Sequence, residues 1–287
     1  MHERITVDWN LGNSCNLSCS YCHWELNNGE NPYPEIEKLS PAFDHLIDQC
    51  GAFSQIQIEF TGGEPTSSQS VCDIILKHSN NIEFKLVSNG TADYKWWATI
   101  KHCLAEITLT YHTTTDLSHF VNVVNLLKDK KLTVFVAIPA DKWDIGRYAY
   151  KTIKESHPNT HIQLLYKNFI RGNNVYDDYT YDQWKEYYQE QSIDISNNEA
   201  VRQTIEFKRV NKLNNYYGHM CWAGYTQIVV DNFGDVWRGW CKSDLCLGNV
   251  FQHTVNLTQK PKPCPRQQCR NGFDLQAHKS KGSWGMV

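Results

Sequence analysis

The sequence predicts an α/β fold, an open and curved parallel sheet flanked by helices, and three observations predict it. Between residues 1 and 165 short apolar runs alternate with longer amphipathic ones, the pattern of strands feeding helices. Six strands read in this alternation imply parallel β/α units, whose right-handed crossovers put every strand C-terminus on one face. A chain of 287 residues, 41% of them hydrophobic, can bury a full core as one large domain or as a large domain with a small one. Six units are too few to close an eight-stranded barrel, and a flat doubly wound sheet is the structural rival.

The expected strands are Ile5–Trp9, Ile56–Phe60, Ile82–Val87, Glu106–Tyr111, Leu132–Ile138 and His161–Leu165. Helical patterns fill the gaps at Ser40–Gln49, Ser68–Lys77, Tyr94–His102, Ser118–Lys128 and Ile145–Glu155. In the fourth, Phe120, Val123, Val124 and Leu127 recur at helical spacing and mark one buried face. Ser118 is read as its cap and Ser40 as the cap of the first, with Pro41 at the first helical position. Beyond Leu165 the texture changes. Residues 176–188 read YDDYTYDQWKEYY, and Val201–Leu213 is a possible helix with one partly buried face. Tyr225–Val230 and Val236–Trp240, joined through Asn232-Phe233-Gly234-Asp235, signal a hairpin. The tail from Ala277 to Val287, rich in Lys, Ser and Gly, is expected to fray. These shifts suggest a first domain over residues 1–200 and a second over 201–287.

Composition narrows the function. A net charge of −3 excludes the global positive field of a nonspecific nucleic-acid binder. The longest apolar run, Val134–Ala140, has seven residues including a proline, so no transmembrane helix is expected. The first residues join no basic segment to an apolar one, so a cytoplasmic product is expected. In a reducing compartment 11 cysteines point to metal binding or catalysis rather than disulfides. Cys50, Cys72 and Cys103 stand alone among apolar residues and read as small buried hydrophobes.

Cys15, Cys19 and Cys22 form a tight group in the loop after the first strand, where three thiolates can converge on one polynuclear centre. A cubane held by three cysteines keeps one iron open for a ligand. A zinc site completed by His23 or by a distant residue is the alternative. After the second strand comes Thr61-Gly62-Gly63-Glu64-Pro65, with two glycines that allow close backbone approach and a fixed anion at Glu64. After the third comes Ser88-Asn89-Gly90, whose hydroxyl and amide suit a ribose or carboxylate or, equally, an Asn-Gly turn. The fourth strand ends at Tyr111 and His112, either of which could face a ligand.

With the three-cysteine spacing and Tyr21 before its last cysteine, the chain resembles the radical S-adenosylmethionine (radical SAM) superfamily over about residues 5–170. The resemblance implies a partial (β/α)6 TIM-like barrel. It also implies a 4Fe-4S cluster on Cys15, Cys19 and Cys22, whose open iron chelates S-adenosylmethionine. It assigns the methionyl amino group to the Gly62-Gly63-Glu64 segment and further cofactor contacts to Tyr21, Ser88 and Asn89. Pro139-Ala140 departs from the family's glycine-rich segment at that place. Tyr166 is positioned for the adenine, while Lys167 and Arg171 are available for a carboxylate or a substrate anion.

Near the C-terminus, Cys221 and Cys241 bracket the hairpin, followed by Cys246, Leu247-Gly248-Asn249-Val250, and Cys264-x4-Cys269. This stretch resembles the auxiliary-cluster extensions of radical SAM enzymes, the short "twitch" form more than the longer SPASM form. That resemblance implies a small β-hairpin/α auxiliary iron-sulfur domain with a second 4Fe-4S cluster on Cys221, Cys241, Cys264 and Cys269; zinc is the alternative. Cys246 is a replacement ligand, a spare thiol or a hydrogen-atom donor. Taken together the resemblance implies an oxidoreductase or related modifying enzyme. A one-electron donor such as flavodoxin or ferredoxin would drive cleavage of S-adenosylmethionine to methionine and a 5′-deoxyadenosyl radical. The substrate would be a small molecule or nucleotide, or else a peptide; a non-catalytic metal-stabilised binding protein is a third class. Tyr111, His112, Asp141, Tyr176 and Cys246 are the candidates for catalytic roles by position.

Overall fold

The computed structural model describes residues 2–22, 27–167, 169–171, 174–176, 179–190, 215–243, 246–269 and 271–280. The chain forms two compact units, one of Met1–Trp9, Glu37–Gln57 and Tyr188–Val287, the other of Asn10–Ile36 and Ile58–Tyr187. The expected boundary near residue 200 and the helix at Val201–Leu213 lie outside the described residues.

In the second of these units β2 (Phe53–Thr61), which enters it at Ile58, is followed across the sheet by β3 (Glu83–Ser88), β4 (Leu104–Tyr111), β5 (Lys131–Pro139) and β6 (His161–Lys167). The β3/β4, β4/β5 and β5/β6 pairs are all parallel, as βα alternation requires. The connections are α2 (Gln69–His78), α3 (Tyr94–Ile100), α4 (Leu117–Leu127) and α5 (Trp143–Ser156). Phe120, Val123, Val124 and Leu127 are buried as their spacing predicts. Phe120 meets the Tyr111 ring edge-on at 5.3 Å. Burying each such side chain stabilises the fold by about 1.5–3 kcal/mol. The cap of α4 is Asp116 rather than Ser118: its carboxylate accepts from the N–H groups of Ser118 and His119 at 2.9 and 3.4 Å. Ser118 already lies inside the first turn. After β6 come a short ribbon of β7 (Phe169–Arg171) and β8 (Asn174–Tyr176) and then α6 (Tyr181–Glu190), which takes up part of the aromatic and acidic segment.

In the other unit the strand order is β11-β10-β1-β2, with β1 at His2–Asn10, β10 at Gln227–Val230 and β11 at Val236–Trp237. The expected hairpin is present and shorter than its apolar runs. Its turn is organised by Asp231, which accepts from the N–H groups of Phe233 and Asp235, both at 3.1 Å, and from the Trp237 indole at 3.0 Å. Gly234 adopts φ +84° there, and a Cβ would strike Phe251. β10 also runs parallel to β1, from Thr6 against Gln227 to Trp9 against Val230.

Helix α1 (Ile36–Gln49) starts four residues before the expected cap, so Ser40 is not its cap and Pro41 lies inside it. There proline gives up its hydrogen bond to the preceding turn and crowds the carbonyl of Glu37. Leu39, Ala42, Phe43 and Leu46 still supply the buried stripe, and Phe43 stacks on Trp9. A second small sheet orders β12 (Lys262–Pro263), β9 (Met220–Cys221) and β13 (Lys279–Ser280). The start of the tail is therefore paired rather than frayed, with Lys279 opposite Cys221. A short helix, α7 (Gly272–Gln276), precedes it. Among the described residues no helix is long and apolar enough to cross a membrane.

Candidate functional site

The loop after β1 and the C-terminal ends of β2, β3 and β4 meet around a cavity of about 300 Å3. It is lined by Cys15, Cys19, Tyr21 and Cys22, by Gly62, Gly63 and Glu64, by Ser88 and Asn89, and by Thr110 and His112. Thus residues from four separate segments of sequence share one pocket, and all belong to the same compact unit.

The two glycines act first on the protein itself. Gly62 has φ +117°, and a Cβ there would stand 2.3 Å from the Gly12 carbonyl oxygen; a Cβ on Gly63 would stand 2.0 Å from that of Ser14. Only glycine lets these backbones touch. Once together they lock: the Gly63 N–H donates to the Gly12 carbonyl at 2.9 Å, and the Glu64 N–H to the Ser14 carbonyl at 2.8 Å. Asn13 anchors the other side, accepting from the Asn31 N–H and donating to the Asn28 side chain at 2.8 and 2.6 Å. The cysteine loop is therefore positioned by the glycine pair and by an asparagine that no motif flagged.

Glu64 is 1% exposed at the base of the pocket. Its Oε1 accepts from the Thr66 N–H, the Thr66 hydroxyl and the Ser88 hydroxyl at 3.0, 2.5 and 2.8 Å, and its Oε2 from the Asn89 N–H at 2.7 Å. Burial pushes its carboxyl up, against the pull of these donors toward the charged form. Asn89 joins the segments further, donating its side-chain amide to Asn16 at 2.9 Å and toward Cys15 Sγ at 3.9 Å. Its carbonyl accepts from the Thr91 N–H and hydroxyl. The Leu17 N–H also points at Cys15 Sγ, at 3.4 Å. Burial raises the Cys15 thiol, and these N–H groups favour its thiolate.

Strand alternation separates Tyr111 from His112. Tyr111 is 3% exposed, packed on Phe120 and donating to the Thr115 carbonyl, so it faces the core instead of the cavity. His112 lines the cavity, its Nδ1 lying 2.7 Å from the Tyr21 hydroxyl and 3.5 Å from Cys19 Sγ. The two rings stack with centroids 5.9 Å apart. Burial and the neighbouring thiols of Cys19 and Cys22 push the Tyr21 phenol up, so it stays protonated. Asp141 is exposed in a single turn at Ala140–Lys142 and is absent from the cavity lining. The side chains of Tyr166, Lys167, Arg171 and Tyr176, and residue His23, lie outside the described residues. Tyr179, which sequence reasoning passed over, is buried, donates to the Ile138 carbonyl at the end of β5 and is near enough to Tyr21 to raise it.

The other unit gathers the second cysteine group. Cys221 on β9 and Cys264 just after β12 share a buried cluster with Ala223 and Ala277. Cys269 is within electrostatic reach of Cys241 and Cys221, and Cys241 of Cys264. Asp274 on α7, unflagged by any motif, accepts from the N–H groups of Trp240 and Cys241, both at 2.8 Å, and so fixes the Cys241 backbone. Lys279 donates to the carbonyls of Asp274 and Ala277 at 2.6 and 2.9 Å. Burial pushes the Cys269 thiol up to about 12, and the Lys279 charge pulls the other way. Cys246 stands apart from the four: it is exposed, and its thiol points at the Val236 and Gly248 carbonyls. A cavity of about 730 Å3 lined by Trp240, Cys241, Arg266, Asn271 and Asp274 adjoins this group.

Among the described residues no three His, Cys, Asp or Glu side chains gather as around a single metal ion. A cubane makes a different demand, one thiolate to each iron, and soft thiol donors are its chemistry. At the first site three thiols face an open cavity and N–H groups already point at Cys15, which fits such a cluster with a ligand beside it.

No family model matches the chain. Over 82 residues it is 34% identical to a probable GTP 3′,8-cyclase of Methanopyrus kandleri, covering 28% of this chain and 25% of the relative. Over 95 residues it is 25% identical to an S-adenosylmethionine-dependent nucleotide dehydratase of Fibrobacter, covering 31% and 28%. The chain spans only 25–29% of the length of the curated relatives it matches. In fold it is similar to Streptococcus suis SuiB bound to its precursor peptide SuiA, with a TM-score of 0.56 and 13% identity over 89% of this chain and 64% of SuiB. SuiB has also been solved with S-adenosylmethionine, at a TM-score of 0.54.

Proposed function

We infer that this chain, whose relatives and structural neighbours support its place in the radical SAM superfamily, is an enzyme that cleaves S-adenosylmethionine reductively and takes a hydrogen atom from a small molecule or nucleotide. The observation that carries this reading is the shared cavity of Cys15, Cys19, Cys22, Gly62, Gly63, Glu64, Ser88 and Asn89. A 4Fe-4S cluster held by the three thiols would supply the electron that breaks the cofactor's carbon–sulfur bond. The protein's part is placement. Glu64 offers a buried anion for an ammonium group; Ser88 and Asn89 bring a hydroxyl and an amide to the same wall; Tyr21 gives that end of the site an aromatic surface. Cys15 is held ready by the Leu17 and Asn89 N–H groups.

A second 4Fe-4S cluster on Cys221, Cys241, Cys264 and Cys269 belongs to the same proposal, supported by the convergence of these four thiols and the separation of Cys246. It would accept an electron or order the C-terminal segment, and flavodoxin or ferredoxin is the proposed donor to the system. A nucleotide or small-molecule substrate is favoured over a peptide because the nucleotide-related relatives match in sequence, whereas SuiB is similar in fold alone.

The test is anaerobic reconstitution with iron and sulfide, reduction, and assay of 5′-deoxyadenosine. Formation of it with iron bound supports the reading; an iron-loaded, reduced protein that forms none overturns it.

A further inference from the structure

We propose that Tyr21 and His112 form a hydrogen-bonding clamp on the Cys19 thiolate that raises the reduction potential of the cluster bound there, and this rests on the cluster assignment above. His112 is then a positioning residue rather than a catalytic one.

Tyr111 is the last residue of β4 and enters the core, whereas His112, the next residue along the chain, turns to the cavity beside the cysteine loop. There one ring nitrogen meets two partners: Nδ1 lies 2.7 Å from the Tyr21 hydroxyl and 3.5 Å from Cys19 Sγ. The near-parallel stacking of the rings, at 11°, holds the imidazole in that position. Tyr21 itself is only 9% exposed, which leaves its ring little room to turn away.

A thiolate bound to iron can only accept hydrogen bonds. An Nδ1 without a proton would set its lone pair against the sulfur, so binding at Cys19 selects the form of His112 that carries the proton on Nδ1. That N–H then serves both the sulfur and the phenol oxygen, and the Tyr21 O–H is released to turn toward the sulfur. Cys19 gains N–H and O–H donors in this way, as Cys15 has the Leu17 and Asn89 N–H groups.

Hydrogen bonds to cluster sulfurs stabilise the reduced state, which carries one more negative charge, more than the oxidised state. Removing a donor therefore lowers the potential. Nothing in this requires either side chain to touch the substrate. The sequence motif marks only that an aromatic residue precedes Cys22; the hydroxyl and its histidine partner come from the tertiary structure.

The test is a redox titration of the reconstituted full-length protein and its Tyr21→Phe, His112→Ala and His112→Gln variants. The midpoint is read from the paramagnetic signal that added S-adenosylmethionine perturbs. Iron content is measured on each sample. We expect the midpoint to fall in Tyr21→Phe and His112→Ala, and to recover in part in His112→Gln, whose amide restores an N–H donor. An unmoved midpoint in iron-loaded Tyr21→Phe and His112→Ala overturns the clamp. So does loss of 5′-deoxyadenosine in His112→Ala at an unchanged midpoint, which would make the histidine catalytic. Wild-type protein with no such signal refutes the cluster assignment, a separate failure.

Discussion

The two cysteine groups are assembled in opposite ways. Cys15, Cys19 and Cys22 sit within eight residues on one loop, partly exposed at the edge of a cavity. Cys221, Cys241, Cys264 and Cys269 come from separate turns and strands, and three of the four are buried. A local group costs little chain entropy to assemble, so its loop can stay open to a ligand. A dispersed group must close long loops first, so any metal bound there would be coupled to folding of the whole segment. The first arrangement suits chemistry on a bound cofactor, the second a closed centre that also staples a small unit. Even their supports differ: the first is braced by backbone contact through Gly62 and Gly63, the second by one carboxylate, Asp274, and one lysine, Lys279.

The largest expected effect separates the groups outright. Alanine at Cys15, Cys19 or Cys22 should reduce 5′-deoxyadenosine formation to background, with iron counted to show what remains bound. Substantial product from any of the three would remove the chemical role from the first group.

Replacing Cys221, Cys241, Cys264 and Cys269 together with Ala should instead lower the iron content from about eight to about four atoms per chain and leave some cofactor cleavage. It should also lower the melting temperature, because a metal held by these four thiols would be coupled to folding of the segment. Four irons and one zinc in the wild-type protein would make the second group a zinc site and leave the first untouched.

Two substitutions sharpen the account of the first group's bracing. Gly63→Ala drives a Cβ to 2.0 Å from the Ser14 carbonyl oxygen, so it should destabilise by about 1–3 kcal/mol and weaken iron retention at the cysteine loop. Glu64→Gln turns an acceptor into a donor facing either the Asn89 N–H or the Thr66 and Ser88 donors. It should cost about 1–3 kcal/mol and weaken S-adenosylmethionine binding roughly tenfold. Thermal melts and equilibrium binding check both; an unchanged melting temperature in Gly63→Ala would mean the loops do not touch.

The smallest effect concerns reactivity in the metal-free protein. The thiolate is the nucleophile, so a thiol raised to about 12 by burial, as at Cys269, should be alkylated slowly at pH 8 and faster as pH rises. Exposed Cys246 should react first. Mass spectrometry of iodoacetamide-treated protein reads the order, and equal rates would deny the difference in burial.

Much of the first site was legible from residues alone. Its motifs follow consecutive strands, and parallel βα units bring the ends of those strands to one face. Apolar spacing likewise gave the buried face of α4 at Phe120, Val123, Val124 and Leu127. Caps were less legible: Asp116 and Ser118 are both good cap residues two positions apart, and only the backbone path chooses between them. Tyr111 and His112 were indistinguishable for a related reason, since adjacent strand residues face opposite sides and the phase is set by packing.

By itself, then, the sequence determined the alternation of strands and helices, the spacing of two cysteine groups and the order of the motifs along the chain. These are properties of local pattern and residue type. Only the tertiary structure decided that β10 pairs with β1, that Asn13 and Asp274 brace the two cysteine groups, that Cys246 stands apart, and that His112 meets Tyr21 and Cys19. Each of these joins residues far apart in the chain through hydrogen-bond direction and side-chain packing, which depend on three-dimensional position and leave no periodicity to read.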